Sequence, residues 1–239
     1  MQREKEVIEE RVGDYLNIAY DFLSKSLPVE LIKYTDKSDI KFYFSETTEY
    51  FHYNPHSDSI RLPYDKDIYI DESYANKIQS LLVHELLHKI FQDYINAVKG
   101  PGKLTINDKS LAFFPEGASF LFEILYLTKS EGKEFSKSEV VEKLKAAIKE
   151  LNGSMKDGQT PEEISSWLRD LIDLLKETRQ LLEDLTGTYI GPHPKETREA
   201  AEKILEFYSN GKFESLGDAV FYLLNEQLSR IKDLSSIKR

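Results

Sequence analysis

The chain has 239 residues, 40% of them hydrophobic, enough for a packed core in one domain or in two lobes around a cleft, which excludes global disorder. Its formal net charge of −10, with no run of Lys or Arg, argues against nucleic acid as the main partner, because phosphate binding needs a basic face. Cysteine is absent, which excludes disulfides, Cys-ligated zinc and a thiol nucleophile, so a transition metal here must be held by His, Asp, Glu or water.

The elements follow in chain order. Residues 4–26 carry Val7, Ile8, Val12, Tyr15, Leu16, Ala19, Phe22 and Leu23 at three- and four-residue spacing, which predicts an amphipathic helix ending before Pro28. The start of the chain, Met1-Gln2-Arg3-Glu4-Lys5-Glu6, is charged and lacks an apolar signal core. No apolar stretch approaches the ~20 residues that span a bilayer, so the expectation is a soluble cytoplasmic protein without a membrane partner. Over 39–70 the pattern changes. Ile40, Phe42 and Phe44 alternate with Lys41 and Tyr43, and short aromatic or β-branched stretches near 49–53, 59–62 and 67–70 are separated by turn residues such as Asn54-Pro55 and Asp58. These predict a small sheet.

From Ser73 to Val98 the period is helical again, and apolar residues lie nearly all round: Ile78, Leu81, Leu82, Val83, Leu86, Leu87, Ile90, Phe91, Tyr94 and Ile95. A helix apolar on every side is a buried one. A loop over 99–110 follows, then helices near 114–130, 136–151, 161–185, 194–209 and 215–234. Thr160-Pro161-Glu162-Glu163 is a helix start, with Thr160 as N-cap, Pro161 at the first helical position and Glu163 placed for a capping box. The expected class is α+β. Residues 1–98 form an upper lobe with the N-terminal helix, the sheet and the buried helix, and 99–239 form a helical lower lobe, with a cleft between them.

The buried helix contains His84-Glu85-Leu86-Leu87-His88. Residues at i and i+4 share one helix face, so two imidazoles can converge on one Zn²⁺ at about 2.0–2.1 Å each. Glu85 directly follows the first of them and projects beside the metal rather than onto it, next to the water the metal would activate. The spacing alone recurs by chance, and the ordinary alternative is a set of unconnected polar helix residues. Burial weighs against that alternative, because a buried His-Glu-His set without a metal leaves polar groups unsatisfied.

At this spacing the chain resembles the zincin metallopeptidases, and among them the gluzincins, whose third ligand is a Glu on the next long helix. Phe113-Phe114-Pro115-Glu116-Gly117-Ala118-Ser119 looks like the third-ligand segment of several gluzincin families, and Glu116 lies 28 residues after His88. A metzincin-like third His is absent, since no His follows His88 until His193. The alternative for Glu116 is a helix-start carboxylate stabilised by the helix dipole. The resemblance covers residues 39–130. It implies a zincin-like fold and a zinc peptidase acting on a peptide or protein, with Zn²⁺ on His84, His88 and Glu116 and with Glu85 as general base. The other function class it leaves open is a zincin-fold peptide-binding protein without proteolytic activity.

The resemblance implies three further roles. Gluzincins commonly stabilise the oxyanion with a Tyr or His of the lower lobe, and the Gly/Pro-rich stretch 186–194 holds both Tyr189 and His193. It is expected to fold back over the zinc, though such stretches are often plain connectors. Zincins bind extended substrate along an edge strand above the active helix, a role that falls here on Ser59-Ile60-Arg61-Leu62. The thermolysin-type Asp four residues after the third ligand is replaced by Phe120, which leaves Glu123 as the candidate partner of a ligand. His52 and His56 flank Asn54-Pro55 and read as sheet-edge or surface residues.

Overall fold

The computed structural model describes residues 2–45, 51–63, 66–111, 113–130, 132, 135–150, 194–211 and 213–237. Helix α1 runs Gln2–Ser26. Ile8, Val12, Tyr15, Leu16, Ala19 and Leu23 form its buried stripe, at the spacing read from the sequence. Leu27 N–H still donates to Leu23 O, Pro28 cannot continue the ladder, and a single turn, α2 (Val29–Ile32), follows.

The sheet has three strands, β1 (Phe42–Ser45), β2 (His52–Asn54) and β3 (Ser59–Pro63), in the order β1-β3-β2. β1 runs parallel to β3 and β2 antiparallel to it. The 59–62 stretch is therefore the centre of the sheet and not the expected substrate-binding edge. The physical reason is burial. Ile60 and Leu62 are fully covered, with strands on both sides, as a central strand requires.

The expected strand at 67–70 is also corrected: it is a short helix, α3 (Lys66–Ile70). Ile68 and Tyr69 are buried side by side while Ile70 is 49% exposed, so a single short turn presents two neighbouring side chains to the core. Tyr69 Oη donates to Pro63 O, and Arg11 of α1 donates to the carbonyls of Tyr69 and Ile70, taking up polar groups that the last turn of a helix leaves open.

Asp71 caps a turn of 3₁₀ helix (Glu72–Tyr74) by accepting from Ser73 N–H, and this leads into α4 (Ala75–Lys99). α4 is the axis of the molecule. Ile78, Leu82, Val83, Leu86, Leu87, Ile90, Phe91 and Ile95 are all at 0% exposure, because α1, α2, the sheet and α5 pack around it. It stops at Gly100, whose φ of +93° is open to glycine and rarely to any other residue.

The next helix, α5 (Phe114–Ser130), carries Pro115 in its first turn, where its missing N–H costs nothing. α6 is Lys137–Glu150, opened by a reciprocal box in which Ser136 N–H donates to Glu139 Oε2 at 2.8 Å and Glu139 N–H to Ser136 Oγ. α7 is Pro194–Asn210 and α8 is Leu216–Ile237. The expected helix at 161–185, with its start at Thr160-Pro161, lies outside the described residues.

α7 lies directly on α5. A Cβ at Gly117 would stand 2.7 Å from Ala201 N and 2.8 Å from Ala200 Cβ, so only glycine permits this approach, one residue beyond Glu116. Among the described residues, no helix is long and apolar enough to cross a membrane.

Candidate metal centre

His84 and His88 project from the same face of α4, with ring centroids 4.9 Å apart. Glu116, in the first turn of α5, comes to both. Its Oε2 is 3.5 Å from His84 Nε2 and its Oε1 3.5 Å from His88 Nε2. One donor atom from each of the three residues lies within 4.8 Å of the others, and they are the one group among the described residues so placed.

The separations test whether a metal fits. Tetrahedral ligands bound at about 2.0–2.1 Å stand roughly 3.3–3.4 Å apart, while a good N–H···O hydrogen bond is about 2.9 Å. Each imidazole Nε2 stands 3.5 Å from a different oxygen of Glu116, longer than a good hydrogen bond, and one donor atom from each residue falls within 4.8 Å of the others, close enough for the three to take one ion. His88 is 4% exposed, its Nε2 faces the Glu116 carboxylate, and its Nδ1 has no hydrogen-bond partner among the described residues.

One of the two imidazoles, His84, has an outer contact. Glu123, two turns after Glu116 on α5, places Oε2 at 3.2 Å from His84 Nδ1. A carboxylate on the far nitrogen fixes the tautomer and turns Nε2 inward as a donor. Glu123 thus stands where the sequence offered it as a candidate. Burial pushes the His84 imidazole down, but the Glu116 and Glu123 carboxylates outweigh it and hold the ring well above its usual value. Burial raises Glu116 too, and the imidazoles of His88 and His84 outweigh it and hold the carboxyl far below the usual range. Carboxylates gathered around two imidazoles form a site that favours positive charge, which a metal cation could supply. Glu123→Gln is expected to weaken metal binding about 10–100-fold in a chelator-competition titration. An unchanged affinity would make Glu123 an ordinary helix carboxylate.

Glu85 stands outside the donor group, as its place after His84 requires. It is 8% exposed, and its Oε2 accepts from the main-chain N–H of Tyr53 at 2.6 Å. That N–H lies on the side of β2 away from β3, where no further strand pairs among the described residues. Ile60, which faces Tyr53 across the ladder, donates its own N–H to Lys41 O on the other side of β3. The Tyr53–Ile60 pair is therefore a non-hydrogen-bonded one, and the polar groups of Tyr53 face away from the sheet. The edge that faces Glu85 is that of β2.

Behind this edge lies a partly buried polar network that sequence reasoning missed. Lys89, 2% exposed, donates from Nζ to Asp58 Oδ1 at 2.8 Å and Oδ2 at 3.1 Å, and lies 3.3 Å from Asp93 Oδ2. Tyr53 Oη donates to Asp58 Oδ1 at 2.8 Å, and Thr35 Oγ1 to Asp93 Oδ2 at 2.6 Å. Burial raises the Asp58 carboxyl, but the Lys89 ammonium and the Tyr53 hydroxyl outweigh it and bring it below its ordinary value. Asp58 also adopts φ +48°, a left-handed conformation that Asp enters more readily than most non-glycine residues. The available signal was a Lys directly after His88 in the largely apolar run 81–91.

His52 lies half-buried on β2 opposite Arg61, and His56 is exposed in the turn where Asn54 Oδ1 accepts from its N–H. Neither joins the donor group. Tyr189 and His193, expected near the open coordination position, lie outside the described residues. No family model matches the chain, and no match is found among curated proteins or among solved structures.

Proposed function

We propose that the chain is a zinc-dependent peptidase of the gluzincin type, hydrolysing peptide bonds with Glu85 as general base. The observation that carries this reading is the spacing of His84 Nε2, His88 Nε2 and the Glu116 carboxylate, with Glu85 next to them yet outside the group. His84, His88 and Glu116 would hold the ion. Zinc with three protein ligands lowers the pKa of a water in its fourth position toward ~7 and polarises a carbonyl.

The chain's own residues do the rest. Glu123 orients His84. Glu85 takes a proton from the attacking water and returns it to the leaving amine. Its Oε2 is committed to the Tyr53 amide, which leaves Oε1 for the proton. Tyr189 and His193 remain the proposed oxyanion donors.

The test is cleavage of an unstructured peptide library by the purified chain. Hydrolysis is expected to stop when a chelator strips the metal and to return with added zinc. Cleavage indifferent to the chelator would exclude the reading. Tight peptide binding with no cleavage by the zinc-loaded chain would assign it to peptide recognition without proteolysis.

A further inference from the structure

Glu85 takes its hydrogen bond from a main-chain N–H, so whatever fixes that N–H decides where the carboxylate sits. β2 is three residues long and lies at the edge of the sheet, the kind of element that frays readily. Its anchor is the Tyr53 side chain. The residue is 1% exposed, and its hydroxyl is bound to Asp58. Asp58 is gripped in turn by Lys89 through both carboxylate oxygens.

Lys89 lies four residues after Glu85, one turn further along α4. The connections therefore close a ring that begins and ends on one helix. It runs from Glu85 to the Tyr53 amide, through the phenol to Asp58, then to Lys89 and back to α4. The pair is open to solvent at Asp58, whose side chain is 50% exposed, and ion pairs that solvent reaches add little stability. What this pair does supply is registration of β2 against α4.

We propose that Tyr53 is a positioning residue for Glu85: its phenol, clamped by Asp58 and Lys89, fixes the amide that holds the carboxylate beside the metal centre. The proposal rests on the reading of Glu85 as general base. Displacing a proton-transfer group by about 1 Å lowers the rate up to 10²-fold.

Tyr53→Phe tests it, since the ring stays and only the bond to Asp58 is lost. The readouts are kcat and KM on one peptide, bound zinc, and hydrogen exchange of the residue-53 amide. Tyr94→Phe, which loses a phenol bond to Asn225 in the contact between α4 and α8, is the matched control. Tyr53→Phe is expected to lower kcat about tenfold at unchanged zinc content and to speed exchange of the amide about tenfold, while the control changes neither. Asp58→Asn, which keeps the shape and weakens the grip of Lys89, is expected to act in the same direction and serves if Tyr53→Phe does not fold. Full kcat or an unchanged amide in these variants would overturn the proposal. Should the zinc-loaded wild type cleave nothing, the general-base reading falls by itself. The amide then decides the clamp: faster exchange in the variants keeps it, and unchanged exchange removes it.

Discussion

Glu85→Gln is expected to reduce peptide hydrolysis by at least about 10³-fold while zinc stays bound at one ion per chain. The change is nearly isosteric, and the amide oxygen of Gln can still accept from Tyr53 N–H, so the edge of β2 stays in place. What disappears is the ability to take a proton. Glu85 is not among the residues whose donor atoms converge, so the metal site has no reason to weaken. Kinetics on a single peptide together with metal analysis of the same sample read both quantities. Loss of zinc in this variant would make Glu85 a ligand and remove it as the base.

The second large effect is expected at Glu116. Glu116→Ala removes the one donor that α5 contributes to the group, leaving two imidazoles, and zinc affinity and hydrolysis should fall together. The loss of affinity should exceed the roughly 10–100-fold expected on removing an outer partner. The alternative role, a carboxylate favoured by the dipole in the first turn of a helix, is worth only about 0.3–1 kcal/mol and would leave zinc untouched. Thermal unfolding of the metal-free variant separates the two. A nearly unchanged apo midpoint with a lost zinc increment marks a ligand, and tight zinc with normal turnover would end the assignment of Glu116.

These outcomes depend on parts of the molecule that were unequally legible in the sequence. α1, α4 and α5 could be read because a buried stripe on one face, or burial all round, leaves a period that local sequence carries: Ile8, Val12, Tyr15 and Ala19 in α1, and the unbroken apolar surround of α4. The existence of a sheet was legible as well, but its order was not. Strand pairing is a long-range choice, and nothing in Ser59-Ile60-Arg61-Leu62 taken alone says that it lies between two neighbours. The 67–70 stretch misled because β-branched and aromatic residues there fill the core from a helical turn, tied down by Arg11 some 58 residues away in sequence. His84 and His88 were legible as a spacing. Glu116 was visible through a resemblance, and its convergence with the two imidazoles is a property of how α5 packs on α4. The contact of Tyr53 with Glu85 could not be read at all, because a main-chain donor has no residue signature.

The most direct test of the account is the zinc content of the wild-type chain beside that of the His84→Ala/His88→Ala double variant, after equilibration against buffer with trace zinc. The account predicts one tightly held zinc per wild-type chain and none in the double variant. A wild-type chain that takes up no zinc, or a double variant that keeps it, would contradict the claim that His84, His88 and Glu116 form a metal centre.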